Sequence, residues 1–238
     1  MRCLTMEQTL KVTNVLSDPT RYYIYQYLIE HHKEVSVNEV AKQFNIHPNV
    51  ARLHLSKLED INMVVSYSKK TGRGGRPSRV YQLSDKEIEL NFPHRDYKML
   101  SSILMESLME MGEQGKVAIY KTGLKYGKEM MQDYNFSSES DLTLEEKLRF
   151  LEETSDMLGM YSSFHYNEEE KIIQLIVNNC PFKDLAAKNQ DMICDMHHAF
   201  IQGMFEVLFD DVNLTLEENM FQKGCDNCMY RANLLVNH

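Results

Sequence analysis

VSVNEVAKQFNIHPNVARLHLSKLEDINMVVSYSKKTGRGGRPSRVYQLS, residues 35–84, decides how the N-terminal part of this 238-residue chain is read. Val37, Val40, Ala41 and Phe44 recur at i, i+3, i+4 and i+7, one apolar face of a short helix. Ser36 stands where an N-cap belongs. Asn45 and Ile46 make a turn, and Pro48, whose φ suits the first helical position, opens a second helix of about twelve residues. At ~100° per residue Ala51, Leu55 and Leu58 fall together and pack inward. Asn49, Arg52, Leu53 and Ser56 fall opposite, with Lys57 at their edge. His54 lies near the inward face and is read as a packing histidine. Two β runs follow, MVVSYS and VYQLS, joined by the Gly-rich stretch KKTGRGGRPSR. Lys69, Lys70, Arg73, Arg76 and Arg79 put cations on that loop, where glycines let backbone approach a partner closely.

Each of these features alone also suits an αα-hairpin with a solvated loop. The order helix, turn, polar-faced helix, strand, basic loop, strand is more specific: it is the order of a winged helix-turn-helix. Asn, Arg and Ser on an outward helix face read base edges in the major groove, and Leu53 suits a thymine methyl. Cations on the wing suit phosphates or the minor groove.

Upstream, DPTRYYIYQYLIE (residues 18–30) reads as a helix starting at Asp18 with Pro19 in its first position and Ile24, Tyr27 and Leu28 facing the core. The whole chain carries a net charge of -9, unfavourable for nucleic acid, but the charge is unevenly placed. Residues 1–95 hold 14 Lys and Arg against 10 Asp and Glu, a net +4, and the remainder 12 against 25, a net -13. A basic N-terminal module on an acidic body follows. The length implies two domains at ~100–200 residues each. No apolar run reaches the ~18 residues of a membrane span, and MRCLTMEQTLKV lacks the apolar core of a secretory signal. A cytoplasmic protein without a membrane partner is expected.

Phe92-Pro93 marks a hinge. Residues 96–134 read as helical, with Tyr97, Leu100, Ile103, Leu104, Leu108 and Met111 at spacings of three and four and with Gly112 and Gly115 as bends or breaks. Thr143 and Glu146 form a capping box that opens a helix to about Met157. The methionines of LMESLMEM are read as core or dimer interface rather than a cofactor box. Paired winged modules bind paired half-sites, so a homodimer on an inverted repeat of double-stranded DNA is expected.

Five cysteines are present: Cys3, Cys180, Cys194, Cys225 and Cys228. In a reducing compartment, metal or redox roles outrank a disulfide framework. A β-hairpin, Tyr161–Tyr166 and Lys171–Val177 around the turn Asn167–Glu170, delivers Cys180. A helix from Pro181 carries Cys194, His197 and His198, neighbours on one face. Val212–Leu216 is a strand, and Cys225-Asp226-Asn227-Cys228 is a tight knuckle before a last strand, MYRANLLV. Thiolates are soft ligands. Spacing leaves three readings open: an iron–sulfur cluster, a structural or sensory zinc site, and a dithiol redox switch at Cys225/Cys228.

DPTRYYIYQYLIE, the His54-Leu55 pair and GRGGRPSRVYQLS resemble the winged-helix regulators of the ArsR/DeoR type over about residues 10–85. NNCPFKDLA, ICDMHHAFIQGMF and GCDNCMYR resemble the C-terminal half of the SufR branch of those regulators, so the resemblance covers nearly the whole chain. It implies a repressor of iron–sulfur assembly genes that senses an iron–sulfur cluster on C-terminal cysteines. By motif, Cys180 matches the cysteine of the family's Asn-Cys-Pro, Cys194 the cysteine on the following helix, and Cys228 the cysteine before an aromatic in the final strand. Family members carry a further cysteine upstream of Gly224, where this chain has Glu218-Asn219-Met220. That departure leaves Cys225, His197, His198 or an exogenous thiol for the fourth ligand. Cys3 matches no position.

The fold expected is α+β: a winged helix-turn-helix (1–92), a helical linker and dimerisation region (93–158), and a C-terminal α+β sensor domain with the cysteines (159–238). An enzyme is not expected, for the chain has no P-loop, GxGxxG, GxSxG or HExxH. A disulfide oxidoreductase on Cys225-x-x-Cys228 lacks the helix N-terminus on which such a pair normally sits.

Overall fold

Thr5 begins the described fold. Its hydroxyl accepts the Gln8 N–H and the Gln8 side chain accepts the Thr5 N–H, a capping box that starts α1 (Met6–Leu16). The computed structural model describes residues 5–69, 78–86, 88, 90, 93, 95–132 and 142–234. Cys3, Lys70, Arg73, Arg76 and Phe92 lie outside them.

α1 is an element that the apolar periodicity did not announce. It buries Val12 and Val15 against α2 (Pro19–His31). Asp18 caps α2 by accepting the Arg21 N–H at 3.0 Å, and Pro19 is its first residue. The short β1 (Val35–Ser36) leads into α3 (Val37–Gln43), started by a Ser36/Glu39 capping box. Asn45, at φ 50, makes the left-handed turn into α4 (Pro48–Glu59), where the His47 ring accepts the Asn49 N–H. β2 (Val64–Lys69) and β3 (Ser78–Leu83) pair antiparallel, and β1 joins the other edge of β3. The sheet order is β1-β3-β2. Ile24, Leu28, Val40, Ala51, Leu55, Leu58, Val64 and Tyr81 close one core beneath it. Each Val, Leu and Ile among them contributes about 1.5–3 kcal/mol on burial.

The chain divides into two compact units, Met1–Arg95 and Asp96–His238. The central helices expected as a separate linker region are thus built into the second unit. The long helical stretch is broken at Gly112, φ +59, into α5 (Tyr97–Glu110) and α6 (Glu113–Gln132). α7 (Leu144–Met157) starts at the Thr143/Glu146 capping box. β4 (Ser163–Asn167) and β5 (Ile172–Val177) form the hairpin. The single helix expected from Pro181 is two: α8 (Lys183–Ala186), then α9 (Gln190–Leu208) after a turn. β6 (Val212–Glu218) and β7 (Cys228–Leu234) complete an antiparallel sheet of order β4-β5-β7-β6.

α9 is the spine of this unit. Ile201, Met204, Phe205 and Leu208 meet Ile173, Leu175, Val177, Tyr230 and Ala232 of the sheet and Leu151 of α7. Its other side lies along α6 at backbone distance. A Cβ on Gly127 would strike the Phe200 carbonyl oxygen, and one on Gly203 the Leu124 carbonyl oxygen. Gly123 faces the Met196 carbonyl in the same way. The Lys128–Glu206 pair, 2.7 Å, borders this crossing.

Candidate functional site

Two sites emerge, one in each unit. In the first, α4 divides as its periodicity requires. Ala51, Leu55 and Leu58 are fully buried, whereas Asn49, Arg52, Leu53 and Lys57 are exposed and Ser56 is half-buried. His54 is buried, and burial lowers its pKa against the opposing pull of Asp18. It packs, as its position on the helix implies.

The described wing cations are not free. Lys69 Nζ is 2.7 Å from Glu34, and Arg79 Nη2 is 2.7 Å from Glu59 while its Nε donates to Ser66 Oγ at 2.8 Å. Lys57 lies 3.9 Å from Asp60. Both strand cations therefore brace the wing and its neighbours, a role that counting cations on a loop does not reveal. Arg52 has no ion-pair partner among the described residues. It lines a groove of about 410 Å³ with Asn38, Ser78 and Arg79.

In the second unit the hairpin delivers Cys180 to a loop held by three hydrogen bonds. Asn178 Nδ2 donates to the Tyr161 carbonyl at 2.7 Å, Asn179 Nδ2 to Gly159 at 2.7 Å, and the Asn179 N–H to Met160 at 2.9 Å. Cys180 is buried there, with Sγ 3.7 Å from Nδ1 of His197. Nε2 of the same ring is 3.4 Å from Met160 Sδ, and Phe182 stands edge-on to it at 5.2 Å. Burial pushes the His197 pKa down to about 4, so the ring is neutral at pH 7. His198 points elsewhere, its ring 5.8 Å from that of Tyr230.

Cys194 comes from the first half of α9 and Cys228 from the start of β7. Two neighbouring residues, Asn219 and Met220, touch them. Asn219 Nδ2 donates to Cys194 Sγ at 3.8 Å, and the Met220 N–H donates to Cys228 Sγ at 3.4 Å. Asn219 is itself buried. Sequence reasoning noted this position only as a departure; its partners are 25 and 8 residues away, beyond any local signal.

Burial raises all three thiols. Burial pushes Cys180 up to about 12, with further increments from Cys228 and Cys194. Burial also raises Cys194 and Cys228, and Cys228 feels Cys194 and Cys225. The Tyr230 hydroxyl is raised first by burial and then by the same three thiols. Cys225 is half-buried beside Cys228. Among the described residues no three His, Cys, Asp or Glu side chains gather closely enough to hold a metal ion as they stand.

Comparison with known proteins bears on the first site. Residues 16–67 match the family model of a helix-turn-helix domain. No curated protein matches the chain. Among solved structures, the chain is similar to a trafficking protein particle complex subunit 3 from Naegleria fowleri covalently bound to palmitic acid. The identity is 14%, over 59% of this chain and 91% of that one, with a TM-score of 0.40. No helix of the described residues is long and apolar enough to cross a membrane. The N-terminal unit carries the helix-turn-helix element of DNA-binding transcription regulators.

Proposed function

We propose that this protein is a sequence-specific, homodimeric transcriptional repressor, not an enzyme. Its winged helix-turn-helix binds an inverted repeat, and its C-terminal thiols hold an iron–sulfur cluster that reports on iron–sulfur assembly. The observation that carries the sensing half is the meeting of three segments far apart in sequence: Cys180 lies 3.7 Å from His197 of α9, and the neighbours Asn219 and Met220 donate to Cys194 of α9 and Cys228 of β7. Zinc and iron–sulfur clusters both take thiolate ligands, and the iron–sulfur reading rests on the resemblance of the Cys180, Cys194 and Cys228 motifs. Raised thiol pKa values make Cys180, Cys194 and Cys228 poor nucleophiles, which weighs against a dithiol catalyst.

The donor chemistry fits: Cys180, Cys194 and Cys228 are the ligands, and Cys225 or His197 completes the set. Such a cluster, when bound, supplies an oxygen-sensitive crosslink among thiolates. Ligation ties the Cys180 loop, α9 and β7 together. Because α9 lies against α6 at backbone distance, its placement passes to α6 and so toward α5, which follows the boundary between the units. Homodimerisation is supported by α5, whose Tyr97, Leu100, Ile103, Leu104 and the following Met111 form an exposed stripe without charge.

The test is anaerobic purification with iron, sulfide and zinc analysis of the wild type and the Cys180→Ser, Cys194→Ser and Cys228→Ser variants, followed by operator titration of holo and stripped protein. Iron and sulfide lost in each variant, and operator affinity lower by ~5–150-fold on stripping, are expected. Full iron in Cys194→Ser, or equal operator affinity of the two forms, would overturn the sensing reading.

A further inference from the structure

The groove beside Arg52 has no role in the reading above beyond being near DNA. Its construction gives it one. Pairing of β1 with β3 sets Ser36 opposite Val80 and Val35 opposite Tyr81, which brings the chain entering α3 against the returning wing strand. Arg52, on the outward face of α4, supplies the third wall. Arg52, Arg79, Ser78 and Asn38 thus line one concavity of about 410 Å³ together with Tyr81, and among the described residues no carboxylate lines it.

The two cations differ. Arg79 is held by Glu59 and Ser66, with its guanidinium 5.4 Å from the Tyr81 ring centre. It is fixed and largely neutralised. Arg52 is exposed, has no ion-pair partner among the described residues, and its charge is felt at the Tyr81 hydroxyl. A concave site with one uncompensated guanidinium, a second fixed one and neutral hydrogen-bond donors suits an oxyanion held by several contacts. At about 410 Å³ among the described residues the groove is larger than a lone phosphate needs, which suits a phosphate carried on a chain.

We propose that this groove seats one phosphodiester of the duplex, and that Arg52 is a backbone-positioning contact rather than the base reader that its place on the helix implied. The proposal rests on the DNA-binding reading. It divides the outward face: Asn49 and Leu53 read bases, while Arg52 sets the register of α4 in the groove.

The experiment uses the full chain and a duplex obtained by selection from random sequence. Affinities of wild type, Arg52→Ala, Arg52→Lys and Asn49→Ala are measured across a salt series, on the selected duplex and a scrambled one. The selected duplex is also made with single neutral methylphosphonates. Arg52→Ala is expected to weaken both duplexes by a similar factor, about tenfold, and to reduce the salt slope by ~1, with partial recovery in Arg52→Lys. One methylphosphonate position should weaken wild type by that factor and leave Arg52→Ala unaffected. Asn49→Ala should relax base preference with the slope unchanged. Relaxed preference at one base pair in Arg52→Ala, with an unaltered slope, would overturn the proposal and leave DNA binding standing. Failure of wild type to select any duplex would overturn the DNA reading itself.

Discussion

Nη2 of Arg79 lies 2.7 Å from Oε2 of Glu59, so β3 is tied to the last turn of α4. The pair is largely exposed, and exposed pairs contribute about 0–1 kcal/mol. Its value is orientation. A double-mutant cycle of Arg79→Ala and Glu59→Ala is expected to show coupling under about 1 kcal/mol in urea unfolding. Arg79→Ala should lower DNA affinity by more than that stability change accounts for. Equal effects on folding and binding would leave the pair with no orienting role.

His54 makes the N-terminal unit pH-sensitive. Its Nδ1 is buried without a hydrogen-bond partner among the described residues, and burial lowers its pKa from 6.5. The unfolded chain therefore takes up the proton first as pH falls. Stability is level above about pH 6.5 and declines below it until the folded pKa is reached. His54→Leu should flatten this part of the profile. Urea midpoints at about pH 5 and about pH 7.5 check it; an unchanged difference between them in the variant would assign the pH dependence elsewhere.

The α6–α9 crossing predicts an order among glycines. Gly127→Ala puts a Cβ into the Phe200 carbonyl and is expected to cost about 1–3 kcal/mol or more, because both atoms in conflict are backbone. Gly112→Ala meets nothing within 4 Å and bears only the strain of φ +59, about 1 kcal/mol. Thermal unfolding of the two variants gives the order, and a smaller loss at Gly127 would contradict the close packing.

Thiol reactivity in the metal-free protein follows burial. Cys194 and Cys225 are half-buried and Cys180 and Cys228 buried, with Cys180 pushed up to about 12. Alkylation followed by peptide mass spectrometry should therefore label Cys194 and Cys225 before Cys180. Early labelling of Cys180 would mean that the loop held by Asn178 and Asn179 opens readily.

The α5 stripe predicts the oligomer. Ile103→Glu with Leu104→Glu introduces charge on an exposed face, so folding should be little affected. Light scattering is expected to show a dimer for wild type and a monomer for the variant, with weakened binding to an inverted repeat but not to a half-site. A dimeric variant would place the seam elsewhere.

Much of both units was legible because its signals are local. Ser36 in the N-terminal unit, and Thr143 with Glu146 in the second, cap a helix within three residues. The buried and exposed faces of α4 follow from a period of 3.6 residues. α1 was missed although Thr5 and Gln8 carry the same capping signal, since its apolar residues were not read as a helical face. The turn separating α8 from α9 was missed because Asn189 caps α9 without a side-chain hydrogen bond, leaving no mark in the residue pattern.

Composition, period and capping residues by themselves determined most of the helices and strands, though not α1 or the break between α8 and α9, and which face of α4 is buried; with the family resemblance they also named the candidate ligand cysteines. Only the tertiary structure decided that Arg79 and Lys69 are held by Glu59 and Glu34, that Arg52 faces a groove, that His197 rather than His198 meets Cys180, and that Asn219 and Met220 occupy the thiol site. The physical reason is range. Capping and amphipathicity are written in residues close along one helix, whereas these contacts join residues 8 to 35 apart on different segments, and exist only once tertiary packing has brought them together.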